Sequence, residues 1–189
     1  MTDPWKPSRA QLEAARTKKV RDLVAPDLAV LFCGINPGLY SGAVGHHFAR
    51  PGNRFWPALH GSCFTPRLLS PFDESELLAY GLGVTNFVSR TTAMAAELSP
   101  KELEASGRRL KAKVRRLRPR WLALLGVTAY RRAFGRPEAA VGPQEDVIAT
   151  TRIWLLPNPS GLNAHYQLPA LISEFARLRA AVEETGSGP

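Results

Sequence analysis

Four short runs along the chain, with strand-like composition, alternate with segments whose hydrophobic residues recur at helical spacing. These runs cover residues 29–34, 82–86, 121–125 and 153–156. The first is apolar at almost every position, which is typical of a parallel strand covered on both faces. Strands that alternate with helices predict an α/β protein. We therefore expect a three-layer α/β/α sandwich around a short, mainly parallel four-stranded sheet.

Start and stop signals predict helices between these strands. Ser8 predicts the cap of a helix that runs to about Leu23, and Ser99 with Pro100 predicts the start of a long helix that ends near Leu117. Further helices are expected from about residue 53, from 73, over 128–134, and from 167 to about 182. The predicted organisation is a basic helical extension over 1–25, a single domain over 26–184, and a disordered tail over 185–189.

Two Asn-Pro turns framed by glycine follow strands at opposite ends of the chain. They are Gly34-Ile-Asn-Pro-Gly-Leu39 and Leu156-Pro-Asn-Pro-Ser-Gly-Leu162. Each turn ends its strand, because Pro donates no backbone hydrogen bond and Gly accepts positive φ. A single turn of this kind is usually just a turn. Parallel strands collect their ends at one sheet edge, where open α/β sheets bind ligands, so the pair predicts a site there.

The positive charge is concentrated in one part of the sequence. The net charge is +9, and residues 101–136 contain twelve Lys and Arg against two Glu. Such asymmetry favours a polyanionic partner, most often nucleic acid. A solvated helix surface is the weaker alternative explanation of the same run. We expect the run to steer DNA through its field, with direct contact as the weaker alternative.

Composition argues against several other classes of protein. No apolar run approaches the ~18 residues that cross a membrane, and the N-terminus lacks a signal-peptide pattern. We expect a monomer with no membrane partner, cytoplasmic in a bacterium or nuclear in a eukaryote. Cys33 and Cys63 are too few for an iron–sulfur cluster or a four-Cys zinc site, and both are expected to be reduced core residues. The four His lack metal-ligand spacing, so we expect no metal and no other cofactor.

Four motifs, in consistent order over residues 26–182, resemble those of the mismatch-specific uracil/thymine DNA glycosylases, a branch of the uracil-DNA glycosylase superfamily. They are the first Asn-Pro turn, Phe48 followed by Pro-Gly-Asn-Arg-Phe-Trp at 51–56, Gly-Val-Thr at 83–85, and Asn-Pro-Ser-Gly-Leu at 158–162. The resemblance implies a uracil-DNA glycosylase-like fold. It also implies a monofunctional enzyme that excises uracil, or in some members thymine or other modified pyrimidines, mispaired with guanine in duplex DNA. Such an enzyme leaves an abasic site.

The resemblance implies a role for each motif. Asn36 is the catalytic candidate. Its amide side chain can orient a water molecule, although it cannot take a proton from it. Phe48 matches the aromatic that stacks on the extruded base, although a core anchor is an even alternative. The wedge that fills the vacated space would be Leu162, unless it packs beneath its loop. The base pocket is further expected to include Ile35, Gly38, Asn86 and Asn158, and contacts with DNA or phosphate are expected from Ser160, Gly161, Asn163 and Ser41. Loop geometry is the alternative role for Ser41, Ser160 and Asn53.

Departures from the main branch of the superfamily refine the expectation. That branch carries an Asp in the first motif and a His in the second, whereas this chain has Asn36 and Asn158. Excision should therefore be slow and show no His-like titration. Gly38 or its neighbour replaces a Tyr that blocks C5-methylated bases, which implies a roomier pocket. Two alternatives stay open: a mismatch or abasic-site recognition module with little catalysis, and a broader uracil glycosylase that also acts on single strands.

Overall fold

A five-stranded sheet in the order β2–β1–β3–β5–β4 forms the centre of the computed structural model, which describes residues 6–186. The strands are β1 (Val30–Gly34), β2 (Leu82–Asn86), β3 (Trp121–Leu125), β4 (Gly142–Ile148) and β5 (Thr151–Leu156). β1 pairs in parallel with β2 and β3, and β3 pairs in parallel with β5. The α/β class and all four predicted strands are confirmed.

The prediction of four strands was wrong by one, because β4 adds an antiparallel edge strand beside β5. β4 contains Pro143, Glu145 and Asp146, and its residues are buried only at the two ends. Its register with β5 shifts between Pro143 and Val147. Proline and exposed charges are typical of edge strands, which need no continuous apolar run. A search for apolar strands therefore misses it.

Six α-helices and two 3₁₀ helices accompany the sheet in the described residues. The α-helices are α1 (Arg9–Ala14), α2 (Leu39–Val44), α3 (Phe55–Gly61), α4 (Pro100–Leu117), α5 (Val127–Phe134) and α6 (Leu168–Gly186), and the 3₁₀ helices cover Pro71–Tyr80 and Ala95–Glu97. The side chains of Ser8 and Ser99 accept from backbone N–H groups at their helix starts, as predicted.

Both ends of the chain differ from expectation. α1 ends at Ala14, not near Leu23, because Thr17 takes a positive φ of 68° and the chain then runs extended, with Leu23 bridging to Val84 of β2. The predicted tail is wrong at Thr185 and Gly186, which both lie in α6, and Thr185 accepts a hydrogen bond from the Trp121 indole at 3.1 Å. The rest of the tail prediction, at 187–189, and the first part of the predicted extension, at 1–5, lie outside the described residues.

The side chains of the sheet bury two apolar layers. On one face, Phe32 meets Phe55 of α3 edge-on and stacks on Phe175 of α6. On the other face, Leu31 lies in a cluster with residues of α4 and α5. Successive side chains of a strand point to opposite faces, so β1 needs helices on both sides. This arrangement is the predicted three-layer sandwich, and it leaves the carboxyl ends of the parallel strands free to build a site.

Candidate active site

A cavity of about 360 Å³ opens where the parallel strands end. The segments after β1, β2 and β5 form its walls together with the loop over 41–53. The sequence-predicted residues that line it are Ile35, Asn36, Gly38, Ser41, Phe48, Asn86, Asn158, Ser160 and Leu162. Gly161 and Asn163 belong to the same loop as Leu162 but do not line the cavity. The two Asn-Pro turns thus lie at one sheet edge, as their position after parallel strands predicts.

The floor of the cavity is an aromatic ring beside a glycine. Phe48 takes a positive φ of 51°, and its ring stacks on Phe55 with centroids 4.1 Å apart. A Cβ on Gly34 would lie 3.2 Å from the Phe48 ring and 2.9 Å from Asn86 Oδ1. Only glycine leaves room for that ring and that amide to approach each other. Phe48 therefore packs against the core and lines the cavity at the same time, so its contact with Phe55 leaves base stacking as a prediction.

The Asn36 side chain is held by acceptors from its own turn after β1 and from the segment after β2. Its Nδ2 donates to Thr92 Oγ1 at 2.7 Å and to the carbonyl of Pro37 at 3.0 Å. Thr92 Oγ1 donates in turn to the carbonyl of Met94 at 2.8 Å. With Nδ2 occupied, Oδ1 is the atom of this amide that can accept a hydrogen bond from water. Sequence reasoning missed Thr92, which lies outside the matching motifs.

A half-buried carboxylate supports the wall on the side of His47. Glu74 accepts from the backbone N–H of His47 at 2.9 Å, and both His47 Nδ1 and His46 Nδ1 lie 3.0 Å from its oxygens. Burial alone raises the pKa of Glu74, but the hydrogen bonds from the two histidines outweigh it and hold this pKa below its ordinary value. Since an ionised carboxylate only accepts, each Nδ1 carries the proton. Glu74 was also missed from the sequence.

The second Asn-Pro turn is held by its own polar side chains. Asn158 Oδ1 accepts from Ser160 N at 2.9 Å, and Asn163 Nδ2 donates to the Asn158 carbonyl at 2.9 Å. Ser160 Oγ accepts from the backbone N–H of Leu162 at 3.3 Å. Leu162 stands at the rim with 73% of its surface exposed. It does not pack beneath the loop, which was the alternative to a wedge.

The hydroxyl and amide groups considered for phosphate contact bond within the protein. Ser41 is buried, and its Oγ accepts from Ala49 N at 3.0 Å. Asn53 Oδ1 accepts from Phe55 N at 2.9 Å at the start of α3. Ser160 caps Leu162 in the same way. The structure therefore favours loop geometry for all three residues, although Ser41 also lines the cavity.

Two other chemistries find no support at this site. Burial raises the pKa of the Cys33 thiol far above its ordinary value, so a thiolate nucleophile is not available next to the cavity. Cys63, by contrast, is exposed, which corrects its assignment to the core. Within residues 6–186, no cluster of three His, Cys, Asp or Glu side chains is arranged to hold a metal ion.

In the same part of the chain, no helix is long and apolar enough to span a membrane.

The fold thus places an amide-rich cavity at the carboxyl edge of an α/β sheet, where open sheets of this kind bind ligands, with an exposed leucine at its rim. A model of the uracil DNA glycosylase superfamily matches residues 21–184. The chain belongs to this superfamily. It is accordingly a DNA glycosylase, a hydrolase of N-glycosidic bonds whose partner is DNA.

Proposed function

We propose that this protein, acting as a monomer, excises uracil mispaired with guanine from duplex DNA and leaves an abasic site. The observation that carries the proposal is the position of Asn36 and Leu162 on one cavity. The oriented amide supplies a water-binding atom, and the exposed leucine supplies an apolar group to fill a gap in the stack. Membership of the superfamily supports DNA as the substrate, but it does not specify which base is removed or what that base is paired with.

The substrate base must leave the helix before it can reach the cavity. Extrusion costs a few kcal/mol and costs least for a mispaired base, so part of the selectivity for G:U comes from the DNA. Leu162 enters the space that the base vacates, as apolar wedges do in other DNA-bending proteins. The extruded pyrimidine stacks on Phe48, a contact of about 1–3 kcal/mol.

Bond cleavage relies on a stable leaving group and a positioned water. Asn36 Oδ1 orients the water but cannot take its proton, so general-base catalysis by this residue is absent. Hydrogen-bond donors around the pyrimidine, with Asn86 and the Phe48 ring both lining the cavity beside Gly34, stabilise negative charge on the departing base. No lysine lines the cavity in the described structure, which favours hydrolysis without a covalent intermediate and without strand cleavage.

The width of the cavity favours tolerance at C5 of the base. A Cβ on Gly38 would meet no heavy atom within 4 Å, so this wall is open where a bulky residue would close it. Thymine and other C5-modified pyrimidines opposite guanine are therefore secondary substrates in this proposal.

Single-turnover base release from matched duplexes tests the proposal. The set contains G:U, G:T, A:U and single-stranded uracil, each with and without EDTA, and alkaline cleavage reveals abasic sites. We expect the fastest release from G:U and no effect of EDTA. Release from none of these substrates, with mismatch binding intact, would instead assign the chain to a recognition module. Equal release from G:U, A:U and single strands would assign it to a broad uracil glycosylase.

Asn36→Ala serves as the catalytic control in this assay. We expect it to slow release by about 100-fold, which is what misplacing a reacting group can cost. Binding to G:U duplex, measured by fluorescence anisotropy, should stay within about threefold of wild type. A parallel loss of binding would remove Asn36 from the chemical step.

A further inference from the structure

One side chain, that of Arg54, supports the whole loop over residues 158–166, which we call the wedge loop. Its Nη1 donates to the carbonyls of Asn163 at 2.9 Å and Tyr166 at 2.8 Å, and its Nη2 donates to the carbonyl of Gly161 at 3.2 Å. The backbone N–H of Arg54 adds a bond of 2.9 Å to the carbonyl of Pro159. Four carbonyls of one loop thus find their donors on a single residue.

The guanidinium serves these carbonyls and no carboxylate. Within residues 6–186, no Asp or Glu oxygen forms an ion pair with Arg54, although this residue is only half-buried. A planar group with five donors in a fixed fork can bridge several carbonyls at once, whereas the ammonium group of lysine cannot reproduce that fork. Carbonyls left without donors lose their hydrogen bonds, so loss of this group frees the loop.

A backbone contact supports the same loop from below. A Cβ on Gly161 would lie 2.6 Å from the carbonyl oxygen of Gly52, which shows that the two backbones touch. Gly52 itself takes a positive φ of 82°, a conformation that favours glycine. The segment 52–54 is therefore a platform on which the wedge loop rests, with Leu162 directed away from it into solvent.

We propose that Arg54 is a positioning residue that holds the wedge loop in its inserting geometry before DNA arrives. The inference rests on the proposed wedge role of Leu162. A loop ordered in advance brings Leu162 to the base pair without an ordering cost at binding. Arg54 should then matter for opening a base pair and not for breaking the glycosidic bond.

This separation predicts a contrast between two substrates. One carries uracil opposite guanine, and the other carries uracil opposite an abasic-site analogue, where no pair has to be opened. We expect Arg54→Gln and Arg54→Lys both to lower the single-turnover rate on the first substrate by at least about tenfold, equal to about 1.4 kcal/mol. The rate on the second should stay within about twofold of wild type, which also shows that the variants are folded.

Arg50→Gln is the matched control, because Arg50 is an exposed arginine that lines the same cavity. It should leave the ratio of the two rates unchanged. A wild-type ratio of the two rates for Arg54→Lys would overturn the inference. Lysine keeps the charge and loses the fork of donors, so that result would mean that Arg54 acts by charge alone, for example on a DNA phosphate. Equal loss on both substrates would also overturn it.

Leu162→Ala provides an independent check of the route. If Arg54 acts through the tip of the loop, adding Arg54→Gln to Leu162→Ala should change the ratio by less than about twofold. A further large loss would place the effect elsewhere.

Hydrogen exchange of the wild-type protein without DNA tests the ordered loop directly. The N–H of Asn163 bonds to the Ser160 carbonyl at 2.9 Å and should exchange slowly. Exchange at the rate of an unstructured peptide would overturn the inference. This measurement needs no excision, so failure of the proposed function, seen as no base release by wild type, stays distinguishable from failure of the role of Arg54.

Discussion

Thr92 Oγ1 accepts from Asn36 Nδ2 at 2.7 Å while donating its only hydrogen to the carbonyl of Met94 at 2.8 Å. The carbonyl can only accept, which commits the hydroxyl proton to it. The lone pairs of the hydroxyl then require a donor, and this requirement selects Nδ2 of the amide over Oδ1. The direction of these two hydrogen bonds thus determines that Oδ1, and not Nδ2, is the atom of Asn36 that can bind water.

Thr92→Val should test this orientation, because valine keeps the shape and removes the hydroxyl. We expect the single-turnover rate on G:U to fall by about two- to tenfold, with DNA binding unchanged, since a neutral hydrogen bond contributes about 0.5–1.5 kcal/mol and the freed amide can turn over. Thr92→Ser restores the hydroxyl and should restore the rate. Valine and serine variants of equal activity would show that the amide is oriented by other groups.

Gly38→Tyr should narrow the substrate range without unfolding the protein. Gly38 has φ −76° and ψ 167°, which any residue adopts, and a Cβ there meets open space. We expect release of uracil from G:U to change by less than about threefold, and release of C5-substituted uracils to fall by at least about tenfold, a typical effect of a misfitting methyl group. The series runs from uracil through 5-fluorouracil to thymine, with Gly38→Ala as the control. Uniform slowing along the series would contradict the role of this wall.

Gly34→Ala should damage the cavity floor. The new methyl group would lie 2.9 Å from Asn86 Oδ1 and 3.2 Å from the Phe48 ring, so at least one of them must move. We expect tighter packing to cost about 1–3 kcal/mol of unfolding free energy and excision to fall more steeply than stability does. Chemical denaturation and single-turnover assays on one preparation measure both. Full activity would show that the extruded base does not use this floor.

Glu74→Gln should destabilise the protein in a pH-dependent way. The pKa of Glu74 is lowered in the folded state, so its stabilising effect is present above the unfolded pKa of about 4 and is lost as the pH falls through the folded value. We therefore expect the unfolding free energy of the variant to lie about 1–3 kcal/mol below wild type at pH 7, with the gap closing below about pH 4.

The matched control is Glu76→Gln. Glu76 is an exposed partner of Arg67, and an exposed ion pair contributes only about 0–1 kcal/mol. A gap for Glu74→Gln that persists unchanged at low pH would mean that packing, and not the charge, is what Glu74 supplies.

The elements that the sequence predicts well are those whose signal is local. A strand buried on both faces, such as Val30–Gly34, must be apolar throughout, and a cap such as Ser99 acts three residues away. β4 was not predicted from the sequence, because an edge strand needs no continuous run of apolar residues. The site divides in the same way. Its motif residues are visible as turns, but Thr92 joins Asn36 across 56 positions of sequence.

Arg54 illustrates a second reason for what the sequence withholds. It lies within a matching motif, yet its partners are main-chain carbonyls of residues more than a hundred positions away. Every residue carries a carbonyl, so such partners leave no pattern in the side chains. Only the folded backbone shows what that arginine supports.

The support that Gly52 and Arg54 give to the wedge loop also bears on whether the protein or the DNA changes shape when the two bind. A wedge that is already rigid has little shape left to change, so the distortion falls on the double helix. Pyrimidine–purine steps kink and unstack more easily than A-tracts. We therefore expect the bases that flank a uracil to influence the rate of its removal, through the ease with which they unstack.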